Sequence, residues 1–389
     1  MVNYEKWPHI RFQKVWQINE AVSFMLGQCE AMLDVICREP LSPEYRKERY
    51  KVALIKGAQA TTAIEGNTLS EEEIAKINEG AHLPKSMEYL EIEVKNIIEA
   101  LNNIRDEVIL KKADSLITPE LILSFHQSVG KNLGDKFDAV PGRFRESGHE
   151  VVVSRYRAPD AVLVKEMMTN LCNWLQSEFG YNNGSQDFIN SIVEAIVVHI
   201  YIAWIHPFGD GNGRTARLVE FFLLLRAGVP DIASHTLSNF YNKTRSEYYR
   251  QIDQSVSTGD ISGFINYAVE GFRDELKTLV DDVIDSQIKT FWRIHIYETL
   301  DSRKSSGKTK SVVKRRRELM LNIPIGKLFT IEQLMTDIPM IFMIYRNLSS
   351  ATIRRDVEDL LTLELIVKEN DKFKANTDVL TKALPLKKG

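Results

Sequence analysis

The sequence predicts a mainly α-helical protein with one short β flap set before its most apolar helices and a small separate unit at its C-terminal end. Three observations carry this reading. Apolar residues recur at three- and four-residue steps through most of the chain before residue 300. One stretch broken by proline and glycine, with three consecutive valines, interrupts them. Near residue 301 the composition turns polar and strongly basic. With 389 residues, 44% of them hydrophobic, the chain can bury a full core and holds more than one folding unit.

"VWQINEAVSFMLGQCEAMLDVI" and "SMEYLEIEVKNIIEALNNIRDEVI" both have the helical repeat. "TPELILSFHQSVGKN" reads as a helix with Thr118 as N-cap before Pro119, and "APDAVLVKEMMTNLCNWLQSEF" as another. Between them, "PGRFRESGHEVVVSRYRAP" carries Pro141, Gly142 and Gly148 as breakers and Val151, Val152 and Val153 as a β-branched run, which predicts a hairpin or extended flap. "DFINSIVEAIVVHIYIAWIHPF" is too apolar for a surface helix, and "TARLVEFFLLLRAG" is a second core-type helix closed by Gly228. "DSRKSSGKTKSVVKRRRE" then reads as a linker or exposed helix start, followed by helices in "FTIEQLM" and "SSATIRRDVEDLLTLELI" and a turn between extended arms in "VKENDKFKAN". "SSGKT" is similar to the end of a Walker A loop, but Ser302 stands where the first glycine belongs and no hydrophobic strand leads into it.

A formal charge of -3 gives no overall reason to expect nucleic acid or an anionic membrane as main partner. "MVNYEKWPHIRFQ" has neither an apolar signal core nor a transit pattern, and no later run is read as long enough to span a bilayer. A cytoplasmic location without membrane association is the expectation. Cys29, Cys37 and Cys172 lack C-x-x-C spacing and fit reduced thiols better than disulfides or a zinc site.

The chemistry concentrates in "HPFGDGNGRTAR", residues 206–217, a tight loop between the two most apolar helices. Gly209, Gly211 and Gly213 let the backbone turn sharply and direct N–H groups inward, and the helix that begins near Arg214 adds its unpaired donors and positive dipole end. Such a site wants an anion, phosphate above all. Arg214 and Arg217 lie three apart on the first turn, so both forks reach one polyphosphate. Asp210 is a hard oxygen ligand suited to Mg²⁺, with Mn²⁺ as the alternative. His206, neutral beside a phosphoryl group, is placed to take the proton of an incoming hydroxyl.

The stretch resembles the Fic family signature H-x-F-x-[DE]-G-N-G-R-x-x-R at every fixed position, from His206 through Phe208, Asp210, Gly211, Asn212, Gly213 and Arg214 to Arg217. The resemblance implies a Fic-type helical bundle that transfers AMP from ATP to a Ser, Thr or Tyr hydroxyl of a target protein, the chain itself included, and releases pyrophosphate. It implies His206 as general base, Asp210 as Mg²⁺ ligand, and Asn212 with the Gly211 and Gly213 backbone as phosphate cradle. Arg214 and Arg217 would hold the phosphates, Arg217 at the γ end, and Phe208 would anchor the loop in the core. Family members that transfer phosphate instead replace the loop glycines, and Gly211 and Gly213 are both kept here.

"TTAIEGNTLS" resembles the family's inhibitory motif [ST]-x-x-x-E-[GN], with Thr61, Glu65 and Gly66 at its fixed positions. It implies that Glu65 pairs with Arg217, occupies the γ-phosphate partner and repels the triphosphate. "YEKWPHIRFQ" is similar to the N-terminal extension of that group. Removal of AMP from a modified target, with Glu65 aligning a water, is a second activity the resemblance leaves open. The flap segment Glu150, Val151, Val152, Val153 stands where the family's hairpin pairs with target backbone as an added strand. Tyr248 and Tyr249, in "NKTRSEYYRQI", are the candidates for bordering the adenine.

The expected organisation is an N-terminal helical region over 1–110 carrying the inhibitory motif, a catalytic core over 111–290, and a linker with a winged helix-turn-helix-like domain over 291–389. In that last domain Ser349 would cap the third helix, Arg354 and Arg355 would sit near its start, and "KRRR" at 314–317 could supply phosphate contacts. DNA is therefore a candidate partner through this domain. The second reading is a DNA-binding regulator whose core senses nucleotide. A homodimer is compatible with the sequence and not set by it.

Overall fold

The computed structural model describes residues 5–38, 42–111, 116–148, 150–153, 156–180, 187–301 and 310–380. The chain forms two compact units, Met1–Val280 and Asp281–Gly389. The first contains helices α1 (Glu20–Arg38), α2 (Pro43–Ala63), α3 (Glu71–Asn78), α4 (Glu88–Arg105) and α5 (Pro119–Gly130), then strands β1 (Val152–Val153) and β2 (Tyr156–Arg157). Helices α6 (Ala161–Glu178), α7 (Phe188–Ile205), α8 (Asn212–Arg226), α9 (Thr236–Lys243) and α10 (Arg245–Thr258) follow. Helix α11 (Ser262–Asp301) runs through the division between units. The second unit adds α12 (Lys310–Asn322), α13 (Ile331–Asp337), α14 (Pro339–Tyr345), α15 (Ser350–Thr362) and strands β3 (Ile366–Glu369) and β4 (Lys372–Ala375).

Local chemistry starts these helices, at Thr118 and Asp187 as the sequence reading expects and at Ser42 and Ser70 in addition. Thr118 accepts from Leu121 N at 3.2 Å ahead of Pro119, Ser42 accepts from Tyr45 N ahead of Pro43, and Asp187 accepts from Ile189 N. Ser70 and Glu73 close a full capping box on α3. α7 is buried almost throughout because it is the central helix of the first unit, packed along α8, which in turn meets α2, α4 and α5.

Two expectations are corrected here. The boundary at residue 110 does not separate domains: buried side chains from Trp7 to Leu276 belong to one continuous core, and the second boundary falls at 280. α7, with 18 residues and hydropathy 1.8, is long and apolar enough to cross a membrane by composition; 78% of it lies inside the first unit, as expected of a core helix.

The second unit packs Trp292, Ile296 and Leu300 of α11 against Leu319, Leu334, Ile341, Ile353 and Leu360. β3 and β4 form a hairpin turning at Asn370, whose φ is +53°, and Phe329 bridges to Phe373 on its edge. Ser349 occupies the N-cap position of α15, but its hydroxyl meets the Thr352 hydroxyl at 3.0 Å instead of a backbone N–H. The run at 314–317 is not a free phosphate-binding edge. Arg315 and Arg316 both reach Asp356 at 2.7 Å, Arg316 also meets Asp359, and Arg317 pairs with Asp301. Arg354 and Arg355 remain exposed on the second turn of α15. The "SSGKT" stretch and Ser302 lie outside the described residues.

Candidate active site

The 206–217 loop is built by two helix ends and one amide. α7 ends at His206, in the left-handed region at φ +51°, and Pro207 then forbids another helical turn. Phe208 is fully buried and stacks on His126 with ring centroids 3.7 Å apart. Gly211, at φ +79°, opens α8, whose first N–H groups have no intrahelical acceptor. Gly209 serves close approach instead of turning: a Cβ there would collide with the Asp138 carbonyl oxygen. Asn212, expected to cradle phosphate, closes the loop, accepting from Phe208 N and donating to Phe208 O, both at 2.9 Å. The two bonds fix the amide's orientation and leave its second N–H without a bond among the described residues.

Arg214 and Arg217 do not share one partner. Arg217, 1% exposed, donates from Nη2 to Glu65 Oε1 at 2.6 Å and to the Thr61 carbonyl at 2.8 Å, while its Nε and Nη1 have no partner. Arg214 pairs with Glu93 and with Asp210 Oδ1, the latter at 2.6 Å, and lies over the Phe137 ring. Gly213 leaves room for this pair, since a Cβ there would press on Glu65 Oε1 and push the carboxylate aside. Burial opposes charge on Glu65, yet the Arg217 charge and hydrogen bond outweigh it and hold the carboxyl below its ordinary range. Glu93 goes the other way, raised by burial despite Arg214.

His206 is partly exposed, and its Nδ1 lies 3.4 Å from the Ala203 carbonyl. With Nδ1–H donating there, Nε2 carries the free lone pair. Burial lowers the imidazole to about 4, helped by the Arg145 charge and opposed by that hydrogen bond and by Glu65 and Asp210. The ring is neutral at pH 7. Asp210 Oδ1 accepts from Gly211 N and Arg214, whereas Oδ2 makes no hydrogen bond among the described residues.

β1 and β2 pair antiparallel, Val152 opposite Arg157 and Val153 opposite Tyr156. Glu150 reaches Arg157 at 2.6 Å, and Val151 O accepts from Ala158 N. Val152 is exposed, and among the described residues β1 pairs with β2 alone. Tyr248 needs correction as a base-bordering residue. It is 3% exposed, its hydroxyl is 2.8 Å from His199 Nε2, and its ring stacks on Tyr241, so it belongs to the core beneath Arg217. Tyr249 is 40% exposed and donates to the Ile64 carbonyl at 3.0 Å, next to Glu65.

Four residues of the site are absent from the sequence reading. His126 Nε2 donates to Asp210 O and Nδ1 accepts from Gly142 N, both bonds fixing its tautomer. Asn67 donates to Glu93 Oε2 at 2.7 Å and so ties the turn after α2 to the carboxylate that holds Arg214. Arg145 donates from Nε to His206 O at 2.8 Å. A lone histidine in α5, a glutamate inside α4 and an arginine between the flap's breakers are weak signals, because each acts through chain segments far away in sequence.

Comparison with known proteins follows the same lines. Residues 116–224 match the Fic/DOC family model. Protein adenylyltransferase fic-1 of Caenorhabditis elegans is 30% identical over 234 residues, covering 58% of this chain and 42% of that protein. Protein adenylyltransferase Fic of Nematostella vectensis is 30% identical over 255 residues, covering 65% and 54%. The chain thus spans about half the length of the curated relatives it matches. In fold it is similar to a Fic family protein from Desulfovibrio desulfuricans G20, with TM-score 0.56 and 20% identity over 93% of this chain and 98% of that one. It is also similar to Fic-1 of C. elegans, with TM-score 0.53 and 23% identity over 68% and 74%. The match to the Fic/DOC family model thus falls on the segment that holds the 206–217 loop.

Proposed function

We propose that this chain is a protein adenylyltransferase that moves AMP from ATP to a Ser, Thr or Tyr hydroxyl of a target protein, with Glu65 restraining the site. The observation that carries this reading is Arg217: a buried guanidinium at a helix N-terminus with Nε and Nη1 unpaired. Such a group is costly unless a further acceptor arrives, and a triphosphate supplies one. The curated relatives named protein adenylyltransferase support the same reaction.

Neutral His206 takes the acceptor's proton at Nε2 as the hydroxyl oxygen attacks the α-phosphorus. The new O–P bond forms, the bond to the β-phosphate oxygen breaks, and pyrophosphate leaves. Arg214, Arg217 and the first N–H groups of α8 take the phosphate charge. Asp210 would hold Mg²⁺ through Oδ2, since one carboxylate oxygen beside phosphate oxygens fits an ion that takes most of its shell from water and phosphate. Among the described residues no group of three or more His, Cys, Asp or Glu side chains could hold a metal without the nucleotide. When bound, the ion neutralises triphosphate charge. The free edge of β1 suits a target strand added to the flap.

The test is label transfer from α-labelled ATP with Mg²⁺ into the protein itself and into a cell extract, for wild type, Glu65→Gly, and Glu65→Gly with His206→Ala. Label that rises in the single variant and vanishes in the double is the expected result. No label in any of the three, with ATP binding established, refutes the transferase and favours a nucleotide-sensing regulator.

A further inference from the structure

The catalytic turn and the flap meet at one side chain. Arg145, in the segment leading into the flap, is buried. Its backbone N–H donates to the Pro207 carbonyl at 3.0 Å. Its guanidinium donates from Nε to His206 O at 2.8 Å, and from Nη2 to Pro159 O and, at 3.5 Å, to Ile205 O. Ile205, His206 and Pro207 are the end of α7, where carbonyls lack helical partners. Pro159 lies two residues past β2. The same base of the flap is held from its other side by Trp7 Nε1 on Arg157 O at 2.9 Å and by Tyr156, which donates to Trp204 O at 2.6 Å.

We propose that Arg145 is a positioning residue for the transfer reaction: it collects the carbonyls at the end of α7, fixes His206 in its left-handed turn, and ties that turn to the flap. The inference rests on the reading of His206 as general base. A histidine at φ +51° carries a conformational cost that the surroundings must meet, and here one planar fork spans three carbonyls from two segments. A lysine places a single ammonium there and cannot span them. Arg145 also brings positive charge to the His206 turn, against the carboxylates of Glu65 on the turn after α2 and Asp210 on the loop.

The experiment uses the full chain carrying Glu65→Gly, with Arg145→Lys or Arg145→Gln added. Transfer is followed as a function of ATP concentration and pH, and His206 is titrated by imidazole NMR, its signal assigned by loss in His206→Ala. Both variants are expected to lower kcat about tenfold or more, with KM for ATP within about twofold of the parent. Only Gln is expected to move the acid limb and the His206 midpoint upward, by about one unit. Lowered stability with unchanged kcat and an unmoved His206 midpoint in Gln would overturn the proposal. If the Glu65→Gly parent transfers no AMP, the transferase reading fails by itself. The His206 midpoint then decides for Arg145, a shift in Gln but not in Lys supporting it and no shift overturning it. Should Gln not fold, the Lys variant decides: a fall in kcat at constant KM supports positioning, and unchanged kcat overturns it.

Discussion

Replacing Glu65 by alanine should weaken the empty protein and tighten ATP binding by similar amounts. Removing one partner of a buried ion pair costs about 3–5 kcal/mol, because the other charge stays behind. Arg217 is that charge, at 1% exposure. The Glu65 side chain is 30% exposed, and exposed pairs contribute below about 1 kcal/mol, so the loss should be roughly 2–3 kcal/mol. For a unit of this size that lowers the melting temperature by roughly 3–5 °C. A polyphosphate that satisfies Arg217 in the variant must displace Glu65 in the wild type. The same 2–3 kcal/mol should therefore appear as roughly 30- to 150-fold tighter ATP binding. At ATP about 100-fold above its Kd the variant regains about 2.7 kcal/mol, which restores most of the lost melting temperature. Scanning calorimetry with and without ATP and titration calorimetry on both proteins provide the numbers. An ATP Kd unchanged within threefold, or a variant as stable as wild type without ATP, would refute the reasoning.

Asn212→Ala removes both bonds to Phe208 and strands a buried N–H and carbonyl; urea unfolding should show a loss of about 2–4 kcal/mol, and a loss under 1 kcal/mol would mean that Asn212 does not hold the loop. Burial lowers His9, His126, His206 and His235 to about 4 from an ordinary value of 6.5. Because the folded values are depressed, their contribution is present above pH 6.5 and lost as pH falls toward 4, by about 1.4 kcal/mol per pH unit for each histidine. The urea midpoint should drop between pH 6.5 and 4.5, and a flat profile would mean these rings titrate normally. In the second unit, Asp356→Ala leaves buried Arg316 without its bond to Asp356 and removes the partner of Arg315 and of the Tyr345 hydroxyl. A loss of about 3–5 kcal/mol in that unit is expected, whereas near-neutral unfolding would show that the arginines find other partners.

The chain announces its local features well. Thr118 before Pro119, the valine run of the flap and the glycines of 209–213 each act within a few residues, so their signals sit side by side in sequence. The pairing of Glu65 with Arg217 also agrees with the motif resemblance, although 152 positions separate them. What stayed hidden is the direction in which polar side chains point. The resemblance implies Asn212 as a phosphate ligand, and its amide is also clamped to Phe208 four residues back, a bond that the motif does not announce. Tyr248 and Tyr249 are adjacent and chemically identical; a helix sends them about 100° apart, one to His199 in the core and one to the surface beside Ile64. The basic run at 314–317 misleads for the same reason, since Asp356 and Asp359 approach it from α15.

The charge balance of the loop follows from these hidden partners. Arg214 and Arg217, three apart, suggest an open basic pocket, but each is already matched by acids from other segments: Glu93 and Asp210 on one, Glu65 on the other. A nucleotide therefore enters by exchanging counter-charges. That exchange is unequal. Arg217 depends on one carboxylate from a turn whose side chain reaches solvent, while Arg214 is held by buried Glu93, itself fixed by Asn67. The easier partner to displace is Glu65, whose arginine keeps two unpaired donors, Nε and Nη1, against one, Nε, on Arg214. Under the proposed function, restraint and substrate binding then act on the same guanidinium, so whatever moves the turn after α2 alters ATP affinity without touching His206.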